Sequence, residues 1–223
     1  MLPAFKGENA MSKMRRMRRA IIPGCLLFLA AALPAQAQTT ADAQDYVQTN
    51  IQTGLSILQD KSVSDAMRRE RIHSFLLSLL DTKRIALYTL GSAQQTASPS
   101  DVAAFIDAFR DFMVANYDSR LGGYNGQTLK VTASVEHAPG DFVVSALLVD
   151  PSAAPGGEVP EVDLRVVSEG GAFYVVDACI EGIWLDLAQR NDFQGFLKEH
   201  NGDVAALTAH LKDMTAKLQV AGN

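Results

Sequence analysis

The chain has 223 residues, 48% hydrophobic and 20% charged, which excludes disordered, collagen-like and coiled-coil classes and leaves room for one or two domains. Two cysteines are too few for a disulfide scaffold or a Cys-rich zinc module. A formal net charge of -5 argues against a nucleic-acid binder, which would carry a basic patch or stripe.

The basic residues are unevenly spread. Lys13, Arg15, Arg16, Arg18 and Arg19 stand just before an apolar run from Ala20 to Pro34, and Ala35-Gln36-Ala37 follows as a small-x-small triplet. This order predicts a secretory signal peptide over 1–37, cleaved after Ala37, ahead of a single domain at 38–223. The run is shorter than the roughly 20 residues a spanning helix needs, and a retained anchor is the alternative. Met11 and Met14 are alternative starts, since residues 1–10 lack signal character. Pro23, and an apolar run that continues past Cys25, argue against a lipoprotein cleavage box. Paired arginines occur in twin-arginine leaders but also in ordinary ones, so general secretion is expected. Residues 38–223 keep 14 basic and 24 acidic side chains, a net charge of -10. Cys179 is then the one cysteine left, so stability must come from packing, which a domain of this size can supply.

Helical spacing opens the mature part. Val47, Ile51, Leu55 and Leu58 share one face, as do Ile72, Phe75, Leu76, Leu79 and Leu80. A short helix carrying Ile85, Ala86 and Leu90 is expected to stop at Gly91. Ser98-Pro99-Ser100-Asp101 reads as the start of the next, with Ser98 as N-cap and Pro99 in the first turn. Its stripe is Val102, Phe105, Ile106, Phe109, Phe112 and Met113.

The period then changes to two. Leu129, Val131, Ala133 and Val135 alternate with polar residues, predicting a strand with one wet face. Residues 142–149 are apolar on both faces and predict a central strand. A Pro/Gly-rich loop at 151–160 leads to a strand at 162–167, and Glu169-Gly170-Gly171 turns the chain into another at 172–178. Helices over 183–199, with Trp184, Leu187, Phe196 and Leu197 inward, and around Val204–Leu218 end the chain. The expected architecture is α+β: an antiparallel, twisted, four-stranded sheet packed against N- and C-terminal helices.

Catalytic signatures are sparse. His73, His137, His200 and His210 lack metal-ligand spacing, and no Gly-x-Ser-x-Gly, P-loop or dinucleotide fingerprint is present. His73 reads as a solvated or hydrogen-bonded side chain and Cys179 as a buried thiol. Asp177, Glu181 and Asp186 are the one tempting acid/base set, in the manner of a ketosteroid isomerase-like pocket; carboxylates at a strand end beside Gly182 equally cap a helix or turn.

The segment Val175-Val176-Asp177-Ala178-Cys179-Ile180-Glu181-Gly182-Ile183-Trp184-Leu185 resembles the MlaC family, also called toluene-tolerance auxiliary proteins. Tyr124-Asn125-Gly126-Gln127, Val162-Asp163-Leu164-Arg165 and Arg190-Asn191-Asp192-Phe193 support the same likeness, which spans 46–218 in the family's order. The stretch 183–193 is also similar to the hopanoid-associated HpnM branch. Two departures, Leu87-Tyr88-Thr89-Leu90-Gly91 where many members have Leu-Gly-Arg-Tyr-Trp and the longer loop at 151–160, bear on the pocket mouth and the preferred lipid. The resemblance implies a periplasmic phospholipid carrier, not an enzyme, with lipid as cargo and no cofactor. It implies two partners: an outer-membrane lipoprotein–porin complex, and an inner-membrane ABC transporter with its substrate-binding subunit. It further implies an apolar pocket for acyl chains. The expected lining is Phe105, Phe109 and Phe112 on the helix, facing Val131, Ala133, Val135, Val144, Ala146, Leu164 and Val166 on the sheet. Small residues facing large ones can leave a slot or fill it, and periodicity alone does not decide. A hopanoid or other polycyclic-lipid carrier, an isomerase-like enzyme and a non-lipid adaptor are the alternatives.

Overall fold

The structure, a computed structural model, describes residues 38–121, 124–153, 156 and 159–221. The leader expected at 1–37 lies outside them. Helix α1 (Thr40–Gln59) opens on a capping box: the Asp42 N–H donates to Thr39 Oγ1 at 3.2 Å and the Thr39 N–H to Asp42 Oδ2 at 2.8 Å. Two end groups that would otherwise lack partners are thereby satisfied reciprocally. Helix α2 (Asp65–Leu79) is capped by Ser64.

Helix α3 (Thr82–Leu90) ends at Gly91, whose φ of 61° and ψ of -138° lie in a region open essentially to glycine alone. The carbonyls freed there accept hydrogen bonds from a distant helix, α5 (Leu185–Glu199): Arg190 Nη1 donates to Tyr88 O at 3.1 Å and Gln194 Nε2 to Leu90 O at 2.9 Å. Helix α4 (Pro99–Leu121) starts as expected, with the Asp101 N–H bonded to Ser98 Oγ at 3.1 Å. Helix α6 (Val204–Ala221) closes the chain.

The sheet has five strands, not four: β1 (Thr128–Ala138), β2 (Asp141–Val149), β3 (Glu161–Glu169), β4 (Ala172–Ile180) and β5 (Ile183–Trp184), antiparallel and in chain order. Glu181 and Gly182 both have positive φ, 51° and 82°, which is the backbone of a two-residue hairpin turn. That turn folds Ile183 back beside Ile180, so α5 begins at Leu185 rather than at 183. Further along the β4 edge, Leu80 bridges Val175 and the Asp81 N–H donates to Val175 O at 3.2 Å.

Among the described residues two buried apolar clusters result. In the first, Ala43 and Val47 of α1 pack on Phe142, Val144 and Val166 of the sheet. The second is wholly helical. Phe105, Phe109 and Phe112 of α4 join Phe193 and Leu197 of α5, Leu207 and Leu211 of α6, and Ile85 and Leu90 of α3. The Phe193 ring meets Phe105 and Phe109 edge-on, at centroid distances of 5.8 and 6.2 Å, a preferred aromatic geometry. In α5 the inward position belongs to Phe193, while Leu187, expected inward, is exposed. Among the described residues no helix is long and apolar enough to cross a membrane.

Candidate functional site

The ten positions expected to line one pocket separate into three groups. Val131, Val144, Ala146, Leu164 and Val166 do share the covered face of the sheet. Their register shows it: Val131 stands opposite Ala146, and Val144 opposite Leu164. Directly opposed residues of paired strands point to the same side. Of these, Val144, Ala146 and Val166 are fully buried, while Val131 and Leu164 are half-buried.

Phe105, Phe109 and Phe112 are buried, but against α3, α5 and α6 rather than the sheet. A helical stripe records that a face is covered and not by what, so the sheet-facing expectation is corrected. Ala133 and Val135 are corrected for another reason. A bulge falls between Val131 and Ala133, with Thr132 as the extra residue. One extra residue reverses every later side chain. Ser134 therefore takes the covered side opposite Val144, and Ala133 and Val135 turn to the outer face, where Val135 is 62% exposed. Ser134 Oγ is buried and has no hydrogen-bond partner among the described residues.

The two clusters meet at a seam lined by half-buried side chains. Leu80 packs against the helical cluster, Val175 against the sheet cluster, and the two residues are bridged by their backbones. Ile51 and Leu55 of α1, Leu76 and Leu79 of α2, and Leu164 of β3 are likewise half-buried. Gly54 lets α2 come close: a Cβ there would sit 3.2 Å from the Phe75 ring. Ala178, opposite Leu164 on the same sheet face, is also half-buried. A packed interior normally buries large aliphatic side chains completely. Here several of them, from four elements, remain accessible. Periodicity had placed Ile51, Leu55, Leu76, Leu79 and Leu80 on apolar helix faces, but of all these residues only Leu164 was expected in the lining. The small Ala178 beside a large Leu164 was the one available hint. A separate open depression of about 460 Å³ lies between Ser92, Gln95 and Thr96 and the end of α5, with Gln194 and Lys198 in its wall.

The carboxylates lie elsewhere. Asp177 stands opposite Arg165, on the face away from Leu164 and Val166. Its Oδ1 accepts the N–H groups of Ala178 at 2.7 Å and Asp186 at 3.1 Å, so it caps α5. Arg165 is held by Asp141, with Nη2 to Oδ2 at 2.6 Å and Nε to Oδ1 at 3.0 Å. Those bonds, more than the surrounding charge, raise the guanidinium's affinity for its proton. Asp163 accepts from Ser145 Oγ at 2.5 Å. Glu181 is spent on the exposed hairpin turn. His73 Nε2 meets Asp118 Oδ1 at 2.6 Å, tying α2 to α4. Cys179 is buried, and burial pushes its thiol pKa up. Among the described residues no group of three or more His, Cys, Asp or Glu could hold a metal ion.

Among the described residues Asp186 is the one strongly perturbed acid. Burial, then its hydrogen bond to Asp177 and the charge of Asp177, push it up to about 8. A proton held more tightly in the folded chain than in the unfolded one gives a stability contribution that is complete below the unfolded value of 3.8. It is lost as pH rises through about 8. Urea midpoints of the wild type should therefore decline between pH 5 and pH 9, and Asp186→Asn should flatten that decline and be the more stable protein at pH 9. Parallel pH profiles for the two would show that Asp186 ionises normally.

A family model described as MlaC protein matches residues 48–213. Among solved structures, a phospholipid-binding protein from Ralstonia solanacearum, in complex with a phospholipid, superposes with a TM-score of 0.68. The match covers 79% of this chain and 98% of that one at 21% identity, and the likeness is one of fold.

Proposed function

The chain belongs to the MlaC family, and from that premise we propose that it is a periplasmic carrier that takes phospholipid between the outer and inner membranes. The supporting observation is the half-buried apolar lining at the seam, around Ile51, Leu76, Leu79, Leu80, Leu164 and Val175. The structurally similar protein from Ralstonia solanacearum was solved with a phospholipid, which supports the same cargo. Acyl chains need such a lining. Each CH₂ kept from water is worth about 0.8 kcal/mol, so a 16-carbon chain represents roughly 12 kcal/mol. Partial cover would leave a prohibitive remainder for aqueous transit, whereas a headgroup can stay in water at the mouth.

Residues 1–37 are the leader that sends the carrier across the inner membrane, and cleavage follows Ala37. Cargo passes between an outer-membrane lipoprotein–porin complex and the substrate-binding subunit of an inner-membrane ABC transporter. No cofactor is required, because nothing is transformed. An acid or base for isomerase chemistry would have to reach the lining, and Asp177 is engaged as a helix cap on the other side of the sheet.

Native mass spectrometry of the purified protein tests the reading. Recovery with stoichiometric phospholipid, or its uptake from vesicles, is the expected outcome. A lipid-free protein that cannot be loaded would end it.

A further inference from the structure

Negative charge is concentrated in one segment of the chain. Between Lys130 and Arg190 the chain has ten carboxylates and a single basic side chain, Arg165, which Asp141 already binds. The rest of residues 38–223 is nearly balanced, with 13 basic and 14 acidic side chains. Most of the net negative charge of residues 38–223 therefore falls between Lys130 and Arg190, even with Asp186 holding its proton up to about pH 8.

Within that segment, one end of the sheet exposes large apolar side chains. Ile180 and Ile183 are paired across the β4–β5 turn, so they share a face, and they are 37% and 60% exposed. Leu185 follows in the chain and is exposed too. Val149 and Val159 are exposed at the same end of the sheet, but Val149 alternates with Val144, Ala146 and Leu148 and so points to the face opposite Ile180. Exposed Glu161 and Glu181 flank the group, joined by a backbone bond from the Glu181 N–H to Glu161 O at 3.3 Å. Scattered apolar residues are ordinary on a surface, but a cluster rimmed by like charge marks an interaction site.

We propose that the Ile180–Ile183 end of the sheet is a docking surface for a partner protein that presents an apolar anchor ringed by lysine and arginine. The charge selects this occupant. An anionic membrane surface is repelled by the carboxylates, and a second copy of the chain would bring the same acidic rim against itself. A basic partner gains both steering from a distance and burial of the apolar group on contact. The proposal deepens the carrier reading, on which it rests for the purpose of docking, by placing the partner's seat on the sheet rather than on the helices.

The test uses the purified protein and a synthetic amphipathic helix of leucine and lysine, with its leucine–glutamate counterpart and phosphatidylglycerol vesicles as the other probes. The wild type should bind the lysine peptide, with affinity falling steeply as salt is raised. The double variant Ile180→Asp, Ile183→Asp should lose at least tenfold. Val220→Asp, at a position on α6 that is 79% exposed, should change nothing. Ile183→Ser alone gives the same comparison if the charged variant does not fold. Equal binding by the Ile180 and Ile183 variants overturns the proposal, as does preference for the glutamate peptide or the vesicles, or self-association. Phospholipid uptake is measured separately. Failure of the wild type to take up lipid would sink the carrier reading and leave the peptide result to stand by itself.

Discussion

Replacing Ala178 with tryptophan is expected to reduce phospholipid uptake from vesicles by tenfold or more while leaving a cooperative unfolding transition. Ala178 lies on the covered face of β4, opposite Leu164 and half-buried. An indole there would project into the seam between the two clusters. Were the seam packed, the same substitution would overpack it and cost about 1–3 kcal/mol or more. Uptake and stability measured together therefore separate the cases. Lost uptake with a urea midpoint near the wild-type value fits an open slot. Lost stability fits a filled one. Unchanged uptake in a folded variant would remove Ala178 from the lining.

Phe193→Ala is expected to do the reverse. Phe193 is buried in the helical cluster, edge-on to both Phe105 and Phe109. Truncating a buried phenylalanine costs about 3–5 kcal/mol, a large part of the 5–15 kcal/mol that typically separates folded from unfolded chains. Uptake per folded molecule should nevertheless stay at the wild-type level, because that cluster is a filled core and not the lining. A loss of uptake in protein shown to be folded would mean that the cluster and the seam are one cavity.

These two residues show where sequence reasoning reaches and where it stops. Elements set by local chemistry were legible. Ser98-Pro99 starts α4 and Gly91 ends α3 because capping groups and backbone freedom act within a few residues. The strand at Leu129–Val135 was legible as a strand but not in its facing, since the apolar alternation runs unbroken through the bulge at Thr132. The stripe of Phe105, Phe109 and Phe112 was legible as buried. Its partner was not, because α5 and α6 could cover it as well as a sheet could. Strand β5 was missed because two residues carry no period, although Glu181-Gly182 is a hairpin turn once seen. The carboxylate of Asp177 could be read as an acid or as a cap, and the geometry makes it a cap. The seam was out of reach because it depends on how the helical and sheet clusters come together, a property of tertiary packing with no local signature.

The Thr132 bulge has a bearing on how the chain behaves when crowded. β1 is eleven residues long and forms the outer edge of the sheet, where unpaired peptide groups could template strands from neighbouring molecules. A second irregularity lies between Glu136 and Ala138. With Lys130 and Glu136 between and beside these kinks, no long straight stretch is left for another copy to zip onto, so the kink that costs Ala133 and Val135 their inward places also guards against fibrillar growth at high concentration.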